Sequence, residues 1–218
     1  FLPPLLDGLG IGRAHLFGLH SGAKVATAFA AAFPGRAAGL IVAGKSHSLV
    51  PDRETRNRTM RDVVAERYFT GGADRVDGPE ALRGWAAAGR QLAKAWWDDA
   101  LFIPNESGGD PAAVIRAIEA KLIDDLTARR TVRDFYEANF AFDFAGELAR
   151  VAAPTLILEI TSEAEDRAIG RQGEALRRFP PAATARTLPQ VDGSGLFLHA
   201  GIGSITEPIA AFVRAHSP

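Results

Sequence analysis

The chain has 218 residues, 47% hydrophobic and 23% charged, which is ordinary globular composition with room for one sizeable core. Its formal net charge is −1, with neither a Lys/Arg block to mark nucleic-acid binding nor an acidic tail to mark a basic partner. It has no Cys, which excludes disulfides and thiolate metal sites, and its five histidines lack the close spacing of a zinc site, so neither a metal nor a cofactor is expected.

Taken in order, Leu2–Leu9 reads as the end of a helix closed by Gly10 and Gly12. Ala14–Gly18 is a short apolar run suited to a buried strand. After a tight Gly-flanked turn, Ala23–Phe33 has helical spacing and small residues, and Pro34-Gly35 stops it. Ala38–Ala43 is a second buried strand, so the unit predicts a parallel sheet with a right-handed crossover. From Ser46 to about Val151 the pattern changes to charged, helical segments at Arg53–Tyr68, Pro79–Ala93, Pro111–Thr127 and Val132–Asn139. This stretch is rich in aromatics, among them Trp85, Trp96, Trp97, Phe142 and Phe144, and it reads as a helical insertion. The α/β alternation then resumes with a strand at Pro154–Ile160, a helix at Asp166–Arg178, a strand at Thr184–Leu188 and a last helix at Ile205–His216. Apolar runs such as Gly39–Gly44 are far too short to cross a bilayer, and Phe1–Leu6 has neither a basic leader nor a cleavage site. The expectation is a cytoplasmic protein without membrane association, with the Ala and Arg bias of a bacterial genome.

The most informative stretch is Gly18-Leu19-His20-Ser21-Gly22, a Gly-x-X-x-Gly turn between a strand and a helix. The central residue of such a turn has strained backbone angles and is crowded by chain on both sides, so small residues are wanted two before and two after. Centring the turn on Ser21 would put Leu19 and Ala23 there, which fits less well. A phosphate loop ending in Lys24 is a weaker reading, because Ala23 and Val25 stand where the second glycine and the magnesium-binding hydroxyl belong. The Gly8/Gly10/Gly12 run likewise fails as a dinucleotide fingerprint, since no strand precedes it.

At these residues the sequence resembles the α/β-hydrolase superfamily, over nearly its whole length. Ala26 to Arg36 resembles the helix after the elbow, Gly39–Gly44 the next strand, the helical stretch the cap, and Pro154-Thr155-Leu156-Ile157-Leu158 the strand before the triad acid. The resemblance implies an α/β-hydrolase fold: a mostly parallel sheet with a helical cap, divided as core residues 1–45, cap 46–151 and core 152–218. It also implies departures. His20 stands where the family has its nucleophile. Glu163 matches the triad acid, with Glu165 and Asp166 as close competitors. Gly193-Ser194-Gly195-Leu196-Phe197 resembles the histidine loop with Leu196 in the histidine's place, and His199 follows by about one helical turn. The family's strands ahead of the elbow have no counterpart, which implies an N-terminal segment or a companion chain that completes the sheet.

Each candidate has a bland alternative. His20 is a general base or unusual nucleophile, or it merely fills space in a degenerate site. Ser21 is a nucleophile beside its own base, or a helix-capping hydroxyl whose N–H still serves as an oxyanion donor. Glu163 orients a histidine or is a solvated loop carboxylate. His199 is a base or packs beside Phe197 and Leu198, and His47 faces the pocket or is a plain loop residue. The expected function is hydrolase-like chemistry on a small, mainly apolar ester, ring or C–C bond substrate held between cap and core. The alternatives are a non-catalytic ligand-binding relative and a subunit that completes a catalytic partner.

Overall fold

The chain is described from a computed structural model, over residues 2–44, 54, 57–58, 61–62, 79, 82–86, 94–95, 98–102, 111–128, 131–161, 171–189 and 202–217. It divides into two compact units: one of Phe1–Pro51, Ala141–Gln190 and Gly201–Pro218, the other centred on Asp52–Phe140.

The first unit is a parallel sheet of β1 (Ala14–Leu19), β2 (Ala37–Ala43), β5 (Thr155–Thr161) and β6 (Ala183–Pro189), hydrogen-bonded in the order β1-β2-β5-β6. The central strands are apolar on both faces, as a doubly covered parallel sheet requires. Leu40, Ile41, Val42 and Ala43 of β2 and Leu156, Ile157 and Leu158 of β5 are all buried. The strands pair as Leu40↔Thr155 through Ala43↔Leu158, and β1 pairs with β2 as His15↔Gly39 through Leu19↔Ala43. Among the described residues β1 is an edge strand, and its Phe17 is 45% exposed.

Helix α2 (Ser21–Ala32) follows β1 directly. Its Ala23, Ala26 and Ala30 are buried against Leu40, Val42 and Ile157, and side chains this small let the helix axis come close to the sheet. A short helix, α5 (Phe144–Ala149), completes this face with Phe144 and Leu148. Asp143 caps it by accepting a hydrogen bond from the Gly146 N–H at 3.1 Å. Phe142 and Phe144, read from sequence as aromatics of the insertion, therefore pack in the sheet's own core. At the α2–β2 turn Arg36 donates to the Gly12 and Ile11 carbonyls and pairs with Asp7 of α1 (Leu2–Gly8) at 2.8 Å.

The opposite face of β2 meets α7 (Ile202–His216), which begins earlier than the sequence indicates and so holds Pro208 in its interior. Here His15 of β1 lies across Gly39, where a Cβ would come within 2.7 Å of its Nδ1. The ring meets Phe212 edge-on at 6.1 Å, and Phe212 meets His216 at 4.5 Å. Burial first, then His216 and Arg13, holds the His15 imidazole below its ordinary pKa of 6.5. A depressed histidine favours the neutral form in the folded state. Its contribution to stability is complete above the ordinary value and is lost as pH falls. The urea midpoint should therefore drop more between pH 8 and pH 5 in the wild type than in His15→Phe, and equal drops would disprove the assignment.

In the second unit, α3 (Pro111–Ala128) and α4 (Val132–Ala141) are the long helices, and residues 82–86 are also helical. Arg61 donates to both carboxylate oxygens of Glu137 at 3.0 and 3.2 Å, and its guanidinium lies 5.2 Å from the Phe140 ring centre. The second unit also holds strands, outside the helical segments that the sequence marks. β3 (Lys94–Ala95) and β4 (Asp98–Phe102) form an antiparallel pair.

Candidate active site

The elbow forms because β1 and α2 are joined through a single residue. His20 has φ 49° and ψ −113°, and among the described residues it is the one non-glycine with positive φ. That conformation suits glycine and stores strain in a residue with a Cβ. The turn is pinned by His20 N–H donating to the Ala43 carbonyl at 3.0 Å and Ala23 N–H donating to the His20 carbonyl at 3.1 Å. Of the two bracketing glycines, only Gly18 is sterically required: a Cβ there would collide with the Gly22 backbone, whereas a Cβ on Gly22 meets nothing within 4 Å.

The half-buried His20 side chain turns over the end of β2. Its Nδ1 and Cε1 would lie 2.7 and 2.8 Å from a Cβ at Gly44, the residue that follows that strand with φ +82°. Gly44 N–H in turn donates to the Leu158 carbonyl of β5 at 3.1 Å. Ser21 is the first residue of α2.

The structure brings His20, Ser21 and Gly44 together at the C-terminal ends of β1 and β2. Glu163, Glu165, Asp166, His199, His47 and Leu196 lie outside the described residues. The sequence reading passed over a carboxylate in β5 itself. Glu159 is 5% exposed and accepts hydrogen bonds from the backbone N–H groups of Gln172 and, at 3.1 Å, Gly173, with Thr187 Oγ1 at 3.4 Å. These amides open α6 (Gly173–Leu176), so Arg171 and Gln172 are not helical although the sequence placed them inside a helix. The signal was legible: an acid in the otherwise apolar run Thr-Leu-Ile-Leu-Glu-Ile must find donors if it is buried. The Gln172 side chain is buried too, and its amide has no hydrogen-bond partner among the described residues. Among the described residues no cluster of His, Cys, Asp or Glu could hold a metal, and no helix is long and apolar enough to cross a membrane.

No protein-family model and no curated protein matches this chain. Solved structures do. An esterase from Thermogutta terrifontis is 24% identical with a TM-score of 0.61, over 99% of this chain and 71% of its own. A hydrolase from Pseudomonas aeruginosa PA01 is 21% identical with a TM-score of 0.60, over 97% and 69%. MGS-M2, an α/β hydrolase from a Medee basin deep-sea metagenome library, is 16% identical with a TM-score of 0.60, over 97% and 68%. Those proteins share with this chain the parallel sheet and its flanking helices, and the chain has the α/β-hydrolase fold.

Proposed function

We propose that the protein is a hydrolase-like enzyme acting on a small, mainly apolar substrate (an ester, a ring or a C–C bond) with His20 in the nucleophile position. The observation that carries this reading is the strained backbone of His20. A space-filling residue has no reason to hold φ 49° in place of glycine, whereas a titratable group presented at the end of a sheet does. The esterase and hydrolase among the structural neighbours support the same class. In this reading the Ser21 N–H stabilises the oxyanion, a carboxylate among Glu163, Glu165 and Asp166 orients an imidazole, and His199 is a second candidate base. The protein works in the cytoplasm without a cofactor. His20→Ala should abolish hydrolysis of short activated esters while Ser21→Ala keeps much of it. The reverse outcome would move the nucleophile to Ser21, and no turnover by the wild type across esters, epoxides and diketones would favour a binding protein.

The edge position of β1 favours a second element of the proposal: strands from outside this sequence, in the same polypeptide or a companion, pair with it. Phe17 on that strand is 45% exposed, and Val25 on the helix that follows is 57% exposed. A single stable monomer of 23.2 kDa in native mass spectrometry would contradict this.

A further inference from the structure

We propose that the last turn of α7, with Ser217 after it, is an acid-released latch on the sheet: His15 takes up a proton only by leaving its slot, and the helix end comes away with it. The latch is independent of the chemistry at the elbow. The two nitrogens of the His15 ring have different surroundings. Nε2 is 3.4 Å from Ser217 Oγ. That hydroxyl donates its one hydrogen to the Val213 carbonyl at 2.8 Å, so toward the ring it accepts. The neutral imidazole therefore carries its hydrogen on Nε2 and ties down the end of α7. Nδ1 is buried and has no hydrogen-bond partner among the described residues. It lies so close to Gly39 that a Cβ there would come within 2.7 Å.

An imidazolium has a hydrogen on both nitrogens, whichever tautomer precedes it. The added N–H would point from Nδ1 into that slot, and a buried charged donor without an acceptor is costly to keep. The charged neighbours raise the cost. Arg13, held to the Ala37 carbonyl at 3.1 Å, and His216 on α7 both oppose a further positive charge on the ring, and with burial as the larger cause they keep it below its ordinary pKa of 6.5. β2, the strand beneath, has no ionisable residue. Of the other charged residues of α7, Glu207 pairs with Arg186 and Arg214 is exposed. His216 is not the trigger, because its Nδ1 lies 2.9 Å from the Phe212 carbonyl and its protonated form keeps that bond. Phe212 touches both imidazoles, with ring centres 6.1 Å from His15 and 4.5 Å from His216. Once the His15 ring leaves, Phe212 loses the edge it packs on and Ser217 its anchor. A helix end with no sheet under it frays, since short helices are marginal in water.

Hydrogen exchange of the Val213–His216 amides tests the latch in the wild type, His15→Phe, His15→Asn and His216→Gln, with rates corrected for the intrinsic effect of pH. The released ring titrates at its ordinary value and the seated ring below it, so opening becomes more frequent as pH falls through 6.5. Expected for the wild type is a rise in opening of up to about tenfold between pH 7.5 and pH 5.5. The rise should be insensitive to low urea, whereas the Leu40–Val42 amides of β2 should exchange through openings that urea promotes. Both His15 variants should lose the rise, and His216→Gln should keep most of it. A flat wild-type profile, or a rise that survives in the His15 variants, overturns the latch. So does a rise that vanishes in His216→Gln. Urea sensitivity at the helix end equal to that of β2 also overturns it, because the ring would then be released only by global unfolding. If neither His15 variant folds, the urea dependence and the His216→Gln profile decide.

Discussion

Gly18→Val should unfold the sheet unit or leave it barely stable, while Gly22→Ala should be neutral or slightly stabilising. The two glycines look alike in the sequence, and their surroundings separate them. A Cβ on Gly18 would fall on the carbonyl of Gly22, which is backbone and cannot rotate away. Relief requires α2 to move as a body. That helix rests on the sheet through Ala23, Ala26 and Ala30, and the same contact layer holds Leu40, Val42, Phe144 and Leu148. Ordinary overpacking destabilises by roughly 1–3 kcal/mol, and a collision between backbones lies at or beyond the upper end of that range. Against a total stability of about 5–15 kcal/mol, much of the folded population is at stake. Gly22 is exposed, with open space around it, and lies in the first turn of α2. Alanine there gains up to about 1 kcal/mol of helix propensity. Urea denaturation of both variants checks the contrast. Equal destabilisation by the two would mean that Gly18 is not the point of closest approach.

His20→Ala and His20→Gly should both lose turnover, by about 100- to 10,000-fold, the contribution of a positioned acid–base group. Their stabilities should differ. Alanine keeps a Cβ at φ 49°, so the strain persists. Glycine adopts that conformation freely and should stabilise the fold by about 1–3 kcal/mol relative to alanine, the magnitude of strain stored at such sites. A glycine variant that is more stable and inactive would mark His20 as a residue kept for chemistry at the expense of the fold. A glycine variant that retains activity would remove His20 from the mechanism. If the alanine and glycine variants melt together, the elbow carries no strain to release.

The strands and the elbow were legible because their causes are local. Residues 37–43 and 155–161 are apolar runs flanked by breakers, and the glycine two residues before His20 is a steric requirement of the turn. What escaped depends on partners distant in sequence. The close approach of Gly44 to the His20 ring depends on the β1–β2 pairing, which no period in the sequence encodes. The core position of Phe144 follows from α5 docking on α2, whereas its sequence neighbours are the helices of the insertion. The antiparallel pair in Lys94–Phe102 lacks the alternation of polar and apolar residues that marks a half-buried strand, so composition alone assigned that stretch to a helical region. Glu159 was visible as an acid but not as a buried one, because its donors come from the far side of the segment that follows β5.

The block between Ala43 and Thr155 leaves the sheet on one strand and returns on its immediate neighbour, since β2 and β5 are hydrogen-bonded side by side. The entropy of closing such an excursion grows with the logarithm of its length, by about 0.6 kcal/mol for each doubling. Within that excursion residues 52–140 belong to the second unit, whereas Gly44 and α5 belong to the sheet unit. The stretch 52–140 can therefore be lengthened, shortened or exchanged in one contiguous piece of gene. Grafting experiments on this scaffold have natural cut points near Asp52 and Phe140, with the strained turn and its packing carried over unchanged.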